Sequence, residues 1–311
     1  MATVAEPMTR STAATPRVRT SDYVELTKPR IAVMALITVG VGYLLGANAE
    51  TLHFGYLLHT LIGAGLVAAG GSALNHWLER RVDARMGRTL NRPLPAGRLT
   101  GPEALSYGIT LSVLGVVYLV VALPSPAAAV TAGLTCVLYV AVYTPLKRVT
   151  AWNTVVGALP GALPPVIGWT AARGNVDVEA LVLFAILFVW QLPHFYSIAW
   201  LHREDYARGG MKMLPVVDAT DGRATGLATA GTCLLLVVVT AGPALFLTST
   251  ALTIYLVGAM PLALWFLARS IRFARHRNHQ TARSVLRGSL LYLVGVMGLL
   301  VMTGVLPRYL A

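Results

Sequence analysis

Asn75, Glu79 and Asp83 place three oxygen-bearing side chains at four-residue spacing. If the apolar helix before them continues, all three project from one face within about two turns. A carboxamide and two carboxylates suit Mg²⁺, which takes oxygen ligands, keeps several waters and commonly bridges one or two carboxylates to a substrate phosphate. The spacing therefore predicts a magnesium site at these three residues.

Arginines are interleaved with these acids. The stretch "NHWLERRVDARMGRTLNRPLP" contains Arg80, Arg81, Arg85, Arg88 and Arg92. Guanidinium groups bind phosphate oxygens in a bidentate way. We interpret the segment as a diphosphate site. The alternative is a helix end with ordinary salt bridges, whose arginines only fix the membrane topology.

Two later stretches bring further polar groups to the same predicted surface. "YTPLKRVTAWN" supplies Lys147 and Arg148, and "QLPHFYSIAWLHREDYARGGMKMLPV" contains His194, Leu201 and Asp205. Residues 194, 201 and 205 fall on one face if a single helix runs through them. We expect a second acid and base cluster around Asp205.

The elements that position these groups are predicted from hydropathy. The chain has 311 residues, of which 56% are hydrophobic and 12% charged, whereas soluble domains have about 25% charged residues. Apolar stretches long enough to cross about 30 Å of hydrocarbon predict nine transmembrane helices. They lie at about 31–47, 55–76, 104–123, 127–145, 152–171, 179–200, 225–247, 250–268 and 288–307. The expected fold is an all-α membrane bundle.

The basic residues predict the orientation, because loops rich in Lys and Arg stay in the cytoplasm. A cytoplasmic N-terminus places 23 of the 25 basic residues inside and leaves only Arg173 and Arg308 elsewhere. The candidate site then faces the cytoplasm. The net charge of +12 is explained by topology and by contact with anionic membrane lipid. It gives no argument for a nucleic-acid partner.

The domain organisation is simple. Residues 1–21 are rich in Thr, Ala, Pro and Arg and predict a disordered cytoplasmic tail. Residues 22–311 form a single transmembrane domain. A cleaved signal peptide ending near "GANA" is the alternative for the first apolar run, although its charged leader of about 30 residues is long for one.

Cys136 and Cys233 lie in apolar spans and are expected in the core.

Two predicted helices carry unusual small residues and prolines. The second has Gly65 and Ala69 at a spacing that lets membrane helices approach closely. The fifth contains "GALPGALPP", and broken backbone at membrane depth is tolerated where protein or a water-filled cavity satisfies it. We expect this helix to line the cavity. An ordinary proline-kinked span is the alternative.

The residues favour an enzyme that uses a lipid diphosphate. An apolar tail can lie between helices while its charged head stays beside the acids and arginines, where Mg²⁺ and basic groups stabilise a departing diphosphate. No P-loop, dinucleotide motif or nucleophile triad is recognisable. A transporter or channel is the alternative from another class, but it requires ionisable groups near mid-membrane, and here they crowd at one face.

These stretches resemble a known family. "NHWLERRVDARMGRTLNRPLPAG" resembles the first signature of the UbiA-type intramembrane prenyltransferase superfamily. The stretches "LTKPRI", "MGRTLNRPLP", "YTPLKRVTAWN", "GALPPVIGW" and "REDYARGGMKMLPV" are similar to its protoheme IX farnesyltransferase branch. The resemblance covers about residues 22–307, with the motifs in order along the chain.

The resemblance implies a fold, a reaction and partners. It implies a nine-helix bundle with a cytoplasmic active site, which transfers farnesyl from farnesyl diphosphate to a vinyl group of heme b with addition of water, giving heme O. Mg²⁺ is the implied cofactor, and heme A synthase or an oxidase-assembly protein is a possible partner. The short first tail without a long transit segment favours a bacterial plasma membrane over an organelle. Prenylation of a quinone precursor such as 4-hydroxybenzoate by the same fold is the alternative.

The resemblance also assigns residues. Asn75, Glu79, Asp83 and Asp205 become catalytic residues, with the first three holding Mg²⁺. The implied diphosphate ligands are Arg88, Arg92, Lys147 and Arg148.

The chain departs from the superfamily pattern at several positions. Glu79 stands where Asp is common in the first signature, and the acids of the second signature read His194, Leu201 and Asp205. The lost acids weaken any second Mg²⁺ site. His194 becomes the candidate ligand or positioning group for heme, and a structural hydrogen-bonding histidine is the alternative.

Overall fold

The computed structural model describes residues 19–48 and 52–305, and these contain helices and no strands. Within these ranges, nine helical segments are long and apolar enough to cross a membrane, which confirms the predicted all-α bundle. The spans are Pro29–Gly46, Phe54–Asp83, Gly101–Ala122, Ala127–Leu146, Asn153–Arg173, Val178–Leu201, Arg223–Leu245, Ser249–Arg275 and His279–Gly304.

The α-helices of the described ranges are numbered in chain order. They are α1 (Thr20–Leu26), α2 (Pro29–Gly46), α3 (Phe54–Asp83), α4 (Gly101–Ala122), α5 (Ala127–Val137), α6 (Thr144–Leu146), α7 (Asn153–Ala162), α8 (Pro164–Arg173), α9 (Val178–Leu201), α10 (Arg203–Arg208), α11 (Leu214–Val217), α12 (Arg223–Thr240), α13 (Ser249–Arg275) and α14 (His279–Gly304). A π-helical turn, Leu138–Tyr143, joins α5 to α6, and a 3₁₀ turn, Gly242–Leu245, follows α12.

Several boundaries differ from the sequence-based expectations. The predicted tail at residues 1–21 lies mostly outside the described residues, and its last two residues begin α1. The segment between the predicted spans 250–268 and 288–307 is mostly helical, because α13 continues to Arg275 and α14 starts at His279. Asn278 caps α14 by accepting a hydrogen bond from the Thr281 backbone amide at 3.0 Å.

Helices α3 and α4 cross at glycines that the sequence pattern did not single out. A Cβ at Gly70 would lie 2.6 Å from the Gly108 carbonyl oxygen, and one at Gly115 would lie 2.8 Å from the Gly63 carbonyl oxygen. Gly65, in the predicted stripe, meets only Leu36 at 3.6 Å. The close approach of backbones, typical of small residues in membrane helices, therefore uses a seven-residue spacing.

The proline-rich fifth span breaks into α7 and α8 at Leu163, as its sequence suggested. The span packs closely against α2, because a Cβ at Gly168 would lie 1.9 Å from the Val39 carbonyl oxygen of α2. Neither of the two cavities found at the site is bordered by α7 or α8. The expectation that this span lines the cavity is therefore wrong for these cavities, because its glycines face neighbouring helices.

Apolar packing forms two large clusters inside the bundle. One joins α9, α12, α13 and α14 around the buried rings of Tyr255, Phe266 and Tyr292, and the other joins α2, α3, α4, α5 and α8. Many outward-facing residues are large and apolar, including Val121 at 81% exposed and Val257 at 71%. Such a surface is stable only in contact with lipid tails. The chain is a multi-pass membrane protein.

The start of α2 and the ends of α3, α6 and α9 come together at one end of the bundle, called the basic end here for its residues Lys28, Arg92, Lys147 and Arg208. The contacts Lys28 to Asn75, Lys147 to Glu79 and Gly87 to Asp205 join these elements. The cytoplasmic orientation of this end stays a prediction.

Candidate active site

A polar cavity of about 140 Å³ lies at the basic end. Its charged lining has more basic than acidic groups, so the cavity suits an anion. The residues that line it are Lys28, Asn75, Glu79, Asp83, Met86, Arg88, Arg92, Tyr143, Lys147, Tyr206, Met211 and Met213. Six of the eight residues assigned above as catalytic or diphosphate-binding thus meet in one cavity, and Arg148 and Asp205 do not line it.

The acidic stripe, our name for Asn75, Glu79 and Asp83, lies on a single helix, as the spacing predicted. This is because α3 continues through Asp83. Glu79 and Asp83 are 7% and 1% exposed. Glu79 Oε1 accepts a hydrogen bond from Lys147 Nζ at 2.8 Å, and Asp83 Oδ2 accepts one from Arg92 at 2.8 Å. Asp83 Oδ1 is buried and has no hydrogen-bond partner in the described part of the chain. Burying two carboxylates is costly unless they are paired, so a free oxygen here indicates a place for a cation.

Asn75 is held from two sides. Its Oδ1 accepts a hydrogen bond from Lys28 Nζ at 2.6 Å, and its amide nitrogen donates to Thr144 Oγ1 at 3.0 Å. The bond to Thr144 leaves the amide oxygen facing the basic groups of the cavity. Asn75 is therefore oriented as an oxygen donor, although Lys28 occupies that oxygen in this state.

Lys28 is a cavity residue that sequence reasoning treated only as a topology signal. It adopts a left-handed backbone conformation with φ 49°, which is unusual for a residue other than glycine. Burial lowers the pKa of Lys28 to about 7, and the carboxylates of Glu79 and Asp83 act in the opposite direction. The motif "LTKPRI" contained the residue, but only the fold shows that it reaches Asn75.

The end of the fourth span supplies two tyrosines, and the loop after it supplies Lys147. Burial alone would lower the pKa of Lys147, but the Glu79 carboxylate raises it above its ordinary value. Lys147 Nζ also lies 4.6 Å from the centre of the Tyr143 ring. Tyr139 and Tyr143 stack on the π-helical turn, with ring centres 5.9 Å apart. Such turns are frequent at functional sites.

Asp205 reaches the rim of the cavity by a different route from the one expected. The backbone leaves helical geometry at His202 (φ −118°, ψ 21°), so α9 ends at Leu201 and Asp205 lies on the short helix α10. The predicted common face of residues 194, 201 and 205 is therefore wrong. Asp205 Oδ1 accepts hydrogen bonds from Arg208 and, at 3.2 Å, from the Gly87 amide. The Arg208 hydrogen bond holds the pKa of Asp205 below its usual range.

Arg148 borders a second cavity instead of the first. This cavity has a volume of about 430 Å³ and shares Glu79 and Met211 with the polar cavity. We call it the Arg148 groove; its other lining residues are Leu78, Val82, Thr144, Pro145, Arg148 and Val149. Apart from Arg148 and Glu79 its wall carries no charge.

His194 lies on the side of α9 that packs against α14. Its Nδ1 is 2.7 Å from Ser289 Oγ, and its ring stacks on Trp190 with centres 5.0 Å apart. It borders neither cavity. His76, next to Asn75, is 2% exposed, and neither of its ring nitrogens forms a hydrogen bond with a residue that the structure describes.

The residues fit Mg²⁺ bound together with a diphosphate. Among the described residues no group of three or more His, Cys, Asp or Glu side chains could hold a metal by itself. Two acids and an amide on one helix face instead match the usual Mg²⁺ site, in which waters and phosphate oxygens complete the coordination. The unpaired Asp83 Oδ1 is a free ligand atom for it.

Sequence comparisons place the chain among known proteins. Residues 35–302 match the UbiA prenyltransferase family. A protoheme IX farnesyltransferase of Solibacter usitatus is 48% identical over 292 residues, which cover 90% of this chain and 98% of the relative. The protein of the same name from Salinibacter ruber is 47% identical over 294 residues and covers 90% of this chain and 97% of the relative.

Solved structures share the fold. A structure of digeranylgeranylglyceryl phosphate synthase superposes with a TM-score of 0.75 at 17% identity, over 92% of this chain and 98% of the other. A UbiA homologue from Archaeoglobus fulgidus bound to DMAPP and Mg²⁺ has a TM-score of 0.64 at 16% identity, over 89% and 98%. At these identities the likeness concerns the fold alone.

Proposed function

Because the chain belongs to the UbiA prenyltransferase family, we propose that it transfers farnesyl from farnesyl diphosphate to a vinyl group of heme b, with addition of water. The products are heme O and diphosphate. The acceptor follows from the relatives named protoheme IX farnesyltransferase, which match nearly their whole length. The observation that carries the chemistry is the cavity where Glu79 and Asp83 meet an excess of basic side chains at one end of an apolar bundle.

Asn75, Glu79 and Asp83 are the residues that would hold Mg²⁺. When bound, the ion neutralises charge on the diphosphate and favours its departure. The A. fulgidus homologue was solved with DMAPP and Mg²⁺, which supports a divalent ion with a prenyl diphosphate in this fold.

The basic residues of the cavity bind the diphosphate in this proposal. Three of them already donate a hydrogen bond to an oxygen of the acidic stripe, namely Lys28, Arg92 and Lys147. Their donor groups therefore point to the place where the phosphate oxygens would bind. Arg88 lies over the Tyr206 ring, 4.7 Å from its centre, and closes the rim. Asp205 fixes this rim through its bond to Gly87 and acts on the diphosphate through Arg88.

The reaction balances with water as the only further reactant. The C1–O bond of farnesyl diphosphate breaks and its electron pair leaves with diphosphate. Farnesyl C1 then bonds to the terminal vinyl carbon of heme b, and the positive charge moves to the inner vinyl carbon. Water adds there, and its proton passes to solvent or diphosphate. The bundle delays water until the carbon–carbon bond has formed.

Two expectations stay predictions under this proposal. The first is that His194 ligates the heme iron or positions the porphyrin; the alternative is a structural histidine, which its contact with Ser289 Oγ at 2.7 Å also fits. The second is an association with heme A synthase or an oxidase-assembly protein.

The test is an assay with defined substrates. Protein purified in detergent is incubated with heme b, farnesyl diphosphate and Mg²⁺, and the extracted hemes are analysed by mass spectrometry. We expect a heme heavier by farnesyl plus water, absent with EDTA or without protein.

The alternative acceptor is tested in parallel with 4-hydroxybenzoate. If folded protein leaves heme b unchanged and prenylates 4-hydroxybenzoate, the heme function is wrong and the quinone-precursor function replaces it.

A further inference from the structure

The Arg148 groove is large enough for a ligand and adjoins the site of donor cleavage. Its volume of about 430 Å³ lies in the range of about 300–1,000 Å³ typical of small-molecule pockets. Leu78, Val82 and Val149 give it an apolar wall, while Glu79 is common to the groove and the polar cavity. A ligand in the groove would therefore lie against the residue that borders the diphosphate.

Arg148 is the basic group of this groove, and it is available. Its side chain is exposed and forms no hydrogen bond or ion pair with a described residue. Its neighbour Lys147 is paired with Glu79 inside the polar cavity. Successive residues at a helix end point about 100° apart, so the two cations serve different cavities. A free guanidinium at an apolar rim suits a carboxylate, which it binds bidentately.

We propose that the Arg148 groove binds the acceptor, a porphyrin whose carboxylate is held by Arg148 and whose vinyl edge faces Glu79. The inference rests on the proposed function for the identity of the acceptor. It differs from the diphosphate role that the sequence suggested for Arg148.

The chemistry of protoheme supports this orientation. Its propionates and its vinyl groups lie on opposite edges of the macrocycle. A propionate held at the exposed rim therefore directs the vinyl edge inward, to the wall shared with the polar cavity. The apolar side chains of Leu78, Val82, Pro145 and Val149 would contact the faces of the ring. The donor carbon is released on the other side of the same wall.

This placement competes with one at His194. His194 packs between Trp190 and Ser289 on the α9 and α14 side of the bundle and borders neither cavity. A porphyrin in the groove lies beside α3 and α6 instead. The two placements predict different effects of substitution, which makes them separable.

The experiment compares heme b with its dimethyl ester, which lacks the carboxylate charges, in wild-type protein and Arg148→Gln. We expect the wild-type kcat/KM to be about 10- to 100-fold higher for the diacid, as for a hydrogen-bonded charge pair. Arg148→Gln should lose this preference while its KM for farnesyl diphosphate stays within about twofold. Arg272→Gln, an exposed arginine at the end of α13 that borders neither cavity, is the matched control and should keep the preference.

Binding without turnover gives a second readout. Titration of the protein with heme b, followed by Soret absorbance, should show a Kd raised about 10- to 100-fold in Arg148→Gln. The proposal is overturned if the variant keeps its preference for the diacid, or if only its KM for farnesyl diphosphate rises. It is also overturned if His194→Ala abolishes heme binding while Arg148→Gln binds normally. Wild-type protein that binds heme but forms no farnesylated product would contradict the proposed function instead.

Discussion

At the scale of single residues, the site is a set of buried charges that hold one another in place. Glu79 and Asp83 each have one cationic partner, and Lys28 bonds to the oxygen of Asn75. In a low-dielectric surrounding such pairing offsets part of the cost of burial. Asp83 Oδ1 is the one buried acid oxygen without a partner among the described residues, and metal binding should depend most on this atom.

Asp83→Asn tests this dependence. The variant keeps the shape of the side chain and removes its charge, so we expect kcat to fall about 10²- to 10³-fold, the loss typical of one electrostatic contact made in the transition state. The measurement is turnover of heme b at saturating Mg²⁺, with protein yield and thermal midpoint as checks of folding.

Glu103→Gln is the matched control for this substitution. Glu103 is an acid at the start of α4 that accepts a hydrogen bond from the Thr100 amide and borders neither cavity. A glutamine can still accept that bond, so its activity should stay near wild type. Unchanged turnover in Asp83→Asn would contradict the role assigned to Asp83.

At the scale of elements, glycine contacts and interruptions of the helices decide which groups meet. The π-helical turn orients Tyr139 and Tyr143, and the break at His202 moves Asp205 onto α10. Gly157 leaves room for Tyr143, since a Cβ there would lie 2.4 Å from the tyrosine ring. The glycine crossing of α3 and α4 fixes the helix that carries the acidic stripe.

Gly70→Ala tests the crossing. The added methyl group would lie 2.5 Å from the Ser112 amide nitrogen and 2.6 Å from the Gly108 carbonyl oxygen, so α3 and α4 must move apart. We expect a loss of about 1–3 kcal/mol in stability, the usual cost of overpacking, seen as a lower thermal midpoint in detergent.

Gly231→Ala in α12 is the control, because a Cβ there meets nothing within 4 Å. Its midpoint should stay or rise slightly, since alanine favours helix by about 0.5–1 kcal/mol. Equal midpoints for both variants would mean that the crossing tolerates a larger separation.

At the scale of the whole molecule, the bundle packs two large apolar clusters and places its charged site at the basic end. The polar cavity and the larger Arg148 groove share Glu79 and Met211. One chamber therefore suits the charged head of a donor and the other an amphiphilic acceptor. Ligands of the polar cavity should bind only the assembled fold, because its residues come from the turn before α2, from α3, the π-helical turn and α10, and from the loops after α3, α6 and α10.

Ligand binding should consequently stabilise the protein. A non-hydrolysable farnesyl diphosphate analogue at about 100 times its Kd, with Mg²⁺, should add about 2.7 kcal/mol to the free energy of unfolding. The measurement is the thermal midpoint of the detergent-solubilised protein. EDTA should remove most of the shift, and Asp83→Asn should not show it. An equal shift with and without Mg²⁺ would contradict metal-dependent binding.

The nine spans, the basic end and the acidic stripe were predictable from the sequence, because hydropathy, charge and the helical repeat are local properties of the chain. Residues 75, 79 and 83 share a face wherever their helix lies. The same local reasoning failed at His202, where the backbone leaves the helix and no pattern marks the break.

Which distant groups meet could not be predicted from the sequence and follows from the packing of the helices. Lys28 reaches Asn75 across 47 positions, Lys147 reaches Glu79 across 68, and the Gly87 amide reaches Asp205 across 118. The packing also separates Lys147 from Arg148, which the sequence treated as one phosphate-binding pair. These pairings depend on how closely helices cross and how each one ends, and both are properties of packing between segments far apart in the chain.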